Sequence, residues 1–97
     1  MVVIRVCITA KENNIQDLQA VLASDIPASR QFDGCVRFDA YQDIQYKRKF
    51  ILYEEWETQA NFDAYRESDY FKELGGKIFP LLDGTPDSAY YQAELIS

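Results

Sequence analysis

Glu54 and Trp56 stand two apart in FILYEEW, a run that alternates like a β-strand, so with Leu52 they share one face of it. A carboxylate among apolar neighbours must find a partner or hold its proton above the ordinary range. This matters because the 97 residues include no histidine, the commonest base near neutral pH. Proton transfer therefore falls to Glu, Asp, Tyr, Arg, Lys or Cys, or to the substrate itself. Tyr65 and Tyr70 follow in NFDAYRESDYF, each with a hydroxyl that needs a partner if buried. Arg5 is equally conspicuous, a cation in the strand-like VVIRVCIT. Each has an ordinary structural reading as well: a strut for Glu54 and Arg5, a hydrogen-bonded phenol for the tyrosines. The rings of Trp56, Phe62 and Phe71 read first as core. Trp56 and Tyr65 are the best candidates for a boundary between core and pocket.

Composition narrows the chemistry. With no histidine and only Cys7 and Cys35, a zinc or iron site would rest on carboxylates, and haem would lack its usual axial ligand. No metal, haem or flavin is expected. The cysteines read as reduced packing residues rather than a disulfide framework. A net charge of −6 argues against nucleic acid, whose phosphates require a clustered basic surface. The single basic run, KRK at 47–49, reads as a solvated hairpin turn. No apolar run is long enough to span a bilayer, and the N-terminus lacks a basic leader, so the expected compartment is the cytoplasm.

The elements that must position these residues follow from periodicity. The length suits one domain over 1–97. Val2, Ile4, Val6 and Ile8 share one face of a first strand. Asn13 or Asn14 can cap a helix with the stripe Ile15, Leu18, Val21, Leu22 and Ile26, which Pro27 should kink or restart. CVRFDAYQD and RKFILYEEW form a hairpin. Thr58 and Ser68 can cap two further helical pieces, the second weakened by Gly75-Gly76. AYYQAELI, 89–96, is the closing strand. The order βαββαβ matches an α+β, ferredoxin-like sandwich with an antiparallel sheet and both helical regions on one face. The third strand is apolar on both sides, with Ile51 and Tyr53 opposite Phe50, Leu52 and Trp56. A second copy packed sheet to sheet is therefore expected.

The blocks SRQFDGCVRFDAYQD, KRKFILYEEWETQANFDAYRESDYF and PLLDG, in this order and spacing, resemble the antibiotic biosynthesis monooxygenase superfamily of dimeric α/β barrels. That family includes cofactor-independent quinol and anthrone monooxygenases, a haem-degrading branch and an isomerase of phosphorylated autoinducer-2. Relatives often carry histidine where Tyr65 stands and again near Tyr70. The haem-degrading pattern of Asn, Trp and His falls on neighbourhoods that here hold Arg5, Tyr65 and Gly75-Gly76, so that branch does not apply.

The resemblance implies a homodimer that takes a small-molecule substrate and oxygenates an electron-rich quinol or phenol without a cofactor. In that expectation Tyr65 bonds the substrate oxygen, Arg5 stabilises the developing phenolate and Glu54 is the base. Trp56 and Phe71 hold the ring, with Tyr70 beside them. The alternatives are an isomerase or tautomerase of a small carbonyl compound, working through Glu54 and Tyr65, and a dimeric binding module without turnover.

Overall fold

Period-two alternation becomes strand β1 (Val2–Thr9) in the computed structural model, which describes all 97 residues. Val2, Ile4 and Ile8 are buried on one side, while Val3, Arg5 and Cys7 are half-exposed on the other. A 3-10 turn leads into α1 (Ile15–Ser29). Asn14 holds the N-cap position, yet its Nδ2 donates to Asp17 Oδ2 at 2.8 Å instead of capping a backbone N–H. Pro27 does not restart the helix. It lies inside the last turn, where its missing N–H costs one backbone bond and α1 has only two residues left to run.

Gly34, at φ 78°, turns the chain in a backbone region open to glycine. The hairpin of β2 (Cys35–Gln42) and β3 (Lys49–Trp56) follows. Its loop is held by Asp43 Oδ1, which accepts from the N–H groups of Gln45 at 2.7 Å and Tyr46 at 2.9 Å. Thr58 Oγ1 caps α2 (Gln59–Arg66) through Asn61 N at 3.1 Å, and Ser68 Oγ caps α3 (Asp69–Ile78) through Phe71 N at 3.1 Å. The last strand, β4 (Asp87–Gln92), begins and ends earlier than periodicity predicts. Gln92 pairs with Val2, where β1 begins, and Ala93 exchanges backbone bonds with Met1, so residues beyond Ala93 have no chain left to pair with.

The sheet runs in the order β2-β3-β1-β4, antiparallel throughout. This is the ferredoxin-like arrangement, with the helices on one face. Ile4, Phe38, Leu52 and Trp56 of the sheet meet Leu18, Leu22 and Ile26 of α1, Phe62 and Tyr65 of α2, and Leu74 and Ile78 of α3. Val3, Ile51 and Tyr53 lie on the outer face, which no helix covers. Cys7 and Cys35 sit on strands separated by β3 and are free thiols. No helix is long and apolar enough to cross a membrane.

Candidate functional site

Glu54 sits on the inner face of β3, between Ile4 of β1 and Phe38 of β2, and is 5% exposed. Strand alternation forces it there: Leu52 and Trp56 must be buried, and Glu54 shares their face. Its one side-chain hydrogen bond comes from Trp56, whose Nε1–H donates to Oε1 at 3.0 Å. Burial pushes its pKa from 4.5 to about 7, an effect the Trp56 N–H partly offsets. A carboxyl that titrates at neutral pH can both take and return a proton.

Glu54 opens into a cavity of about 150 Å³ between α2, α3 and the sheet. Aliphatic side chains make the floor, with the rings of Phe38, Phe62, Tyr65 and Phe71 around it. A space of this size lined by apolar groups accommodates one ring. The cavity joins a proton-exchanging group to an apolar slot for a small planar molecule.

The other expected site residues divide. Phe71 lines the cavity, and so does Tyr65, but with its ring. The Tyr65 hydroxyl lies 2.9 Å from Ser29 Oγ, at the end of α1, and Ser29 is fully buried and does not line the cavity. Burial pushes this phenol's pKa well upward. Trp56 is fully buried behind Glu54, its ring centre 5.0 Å from that of Tyr65 and tilted by 32°, and it holds the carboxyl instead of forming a wall. Tyr70 stays outside the cavity, and its hydroxyl donates to the Asp25 carbonyl, tying α3 to α1.

Arg5 is not part of this group. It pairs across the sheet with Tyr53, one position out of phase with Glu54, so the two side chains leave opposite faces. Its Nη1 instead lies 3.5 Å from Cys7 Sγ on the outer face. Sequence reasoning passed over Arg66, which the structure puts on the cavity wall. A charge at the end of an amphipathic helix carries no local signal that separates it from solvated surface.

A larger groove of about 320 Å³ runs between α1 and the edge strand β2. Its one cation, Arg30, is already engaged by the Phe38 carbonyl at 2.8 Å and Asp39 at 3.0 Å, and it has no carboxyl on its wall. No cluster of three or more His, Cys, Asp or Glu side chains is placed to hold a metal ion.

The same fold recurs in solved structures. A protein from Deinococcus radiodurans, provisionally named an antibiotic biosynthesis monooxygenase, superposes with a TM-score of 0.92 at 20% identity, over 100% of this chain and 97% of its own. A conserved protein from Methanosarcina mazei Go1 gives a TM-score of 0.90 at 22% identity, over 96% of this chain and 92% of its own. Protein SO0527 from Shewanella oneidensis gives 0.84 at 26% identity, over 93% and 87%. No curated protein matches the chain. The model of one family, described as antibiotic biosynthesis monooxygenase, matches residues 1–75. That match spans most of the chain, including β1, the hairpin, Glu54 and the cavity wall of α2, and the chain therefore belongs to the antibiotic biosynthesis monooxygenase family.

Proposed function

We propose that the chain oxygenates a small electron-rich quinol or phenol at the Glu54 cavity without a bound cofactor. One observation carries this reading: a buried carboxyl, titrating at about 7, that opens into an apolar slot of about 150 Å³. Glu54 takes a hydroxyl proton from the substrate. The phenolate passes one electron to O2, and the radical pair joins as a carbon-bound peroxide. Glu54 returns the proton to the peroxide, and as the O–O bond breaks the same ring carbon gives up its hydrogen, so that a carbonyl forms and water leaves. One oxygen atom stays on the ring, and the quinol supplies the electrons: hydroquinone and O2 become hydroxybenzoquinone and water. The protein contributes orientation, a dry site and a base matched to neutral pH. Trp56 acts as a positioning residue for Glu54, and Phe62 and Phe71 clasp the ring.

The test is oxygen uptake with a panel of quinols. The native chain should exceed the autoxidation blank for at least one of them, and Glu54→Gln should fall to the blank. Uptake by the native chain at the blank rate throughout would sink the reading. Product formed without oxygen uptake would instead make the chain an isomerase, and tight ligand retention without product a binding module. The same reading includes a second copy of the chain on the uncovered outer face of the sheet.

A further inference from the structure

Arg66 is the one cationic side chain on the cavity wall. It is the last residue of α2, one turn after Phe62, and its guanidinium carbon lies 5.2 Å from the centre of that ring. Phe62 is buried and itself lines the cavity, so the cation rests on an aromatic wall rather than swinging free in solvent. The Arg66 side chain is 49% exposed, while Glu54 and the aliphatic floor are buried. Arg66 therefore stands at the mouth and Glu54 inside. Its neighbours at the mouth, Phe79 and Tyr90, are more than half exposed and carry no charge. Asp63 reaches one guanidinium nitrogen at 3.3 Å. That exposed pair is weak, and it leaves most of the five N–H donors free.

The charge is unusual for its surroundings. The chain carries net −6, a field that disfavours anionic ligands, yet the charged side chain lining the cavity entrance is a cation. A neutral quinol needs no such group.

We propose that Arg66 makes the cavity selective for compact single-ring substrates that bear a carboxylate or other oxyanion on the side remote from the hydroxyl facing Glu54. This rests on the reading of the cavity as the reaction site. The slot admits the ring, Glu54 receives the hydroxyl, and the oxyanion stays at the mouth on the guanidinium fork.

Para-hydroxybenzoate and para-hydroxybenzamide are matched probes, nearly equal in shape and different in charge. Their binding can be measured by calorimetry without oxygen, which separates binding from turnover. The native chain should bind the carboxylate roughly tenfold more tightly than the amide, the scale of a hydrogen bond to a charged group. Arg66→Met should abolish that preference, with carboxylate affinity falling roughly tenfold more than amide affinity, and Arg66→Lys should keep part of it. Equal binding of the two probes by the native chain, or a preference that survives in Arg66→Met, overturns the proposal. Glu54→Gln should retain the preference while losing oxygen uptake. Uptake surviving in Glu54→Gln would remove the reaction reading and leave the anion selectivity standing.

Discussion

At the residue scale, Glu54 is the group whose chemistry and stability effect are linked. Its folded-state value of about 7 lies above the ordinary 4.5, so the folded chain holds this proton more tightly than the unfolded chain. The stability it contributes is full below about pH 4.5 and is lost as pH rises to about 7. A gap of this size corresponds to about 3 kcal/mol. Gln cannot ionise, so Glu54→Gln should escape that fall and gain on the native chain by a few kcal/mol between about pH 5 and pH 8. Urea unfolding at both ends of that window measures it, and parallel curves would place the Glu54 carboxyl in contact with more solvent than its 5% exposure allows. Tyr65 makes the opposite kind of case. Tyr65→Phe leaves the buried Ser29 hydroxyl without its partner, a loss of about 1 kcal/mol, while ligand affinity should stay within about twofold. Unchanged stability with a tenfold loss of affinity would mean that the hydroxyl turns to the ligand.

At the element scale, caps and alternation explain most of the chain. Thr58 and Ser68 act at the positions their spacing suggests, and the inner face of β1 follows the period of two. Gly75 and Gly76 look alike in sequence and differ in the fold. A methyl at Gly76 meets nothing within 4 Å, whereas one at Gly75 comes within 3.3 Å of the Phe79 ring, on the cavity wall. Gly76→Ala should therefore stabilise α3 by up to about 1 kcal/mol without changing ligand binding. Gly75→Ala should gain less and narrow the cavity. Thermal melts with parallel binding measurements would tell them apart, and equal effects on both counts would show that Phe79 moves aside.

At the scale of the whole molecule, the proposed dimer rests on the outer sheet face. Ile51 and Tyr53 on β3, Val3 on β1, and the half-exposed Tyr41 on β2 and Tyr91 on β4 form an apolar strip that Arg5, Asp39 and Glu55 interrupt. Covering this strip with a second copy would remove apolar surface that the helices, on the other side, cannot reach. Light scattering should give twice the chain mass of 11.3 kDa, and Ile51→Lys should shift the equilibrium to monomer. A native mass of 11.3 kDa at micromolar protein would overturn the proposed dimer.

The amino-acid sequence by itself determined what depends on neighbours along the chain. Element order, the inward faces, two helix caps and the awkward placement of Glu54 among apolar residues all follow from periods of two and 3.6 and from short-range hydrogen bonding. The ferredoxin-like topology follows from the same order. Tertiary structure alone decided which side chains share the cavity. Tyr65 and Ser29 are 36 positions apart, and only the docking of α2 against α1 turns that hydroxyl from the cavity to a structural partner. Strand register sets Arg5 opposite Tyr53 on the outer face, a neighbour that the first strand alone could not name. Arg66 reads as solvated surface until α2 is laid across the sheet and its last residue meets the mouth. The reason is common to all three: a side chain's direction is a local property, but what it faces is set by contacts between elements far apart in sequence.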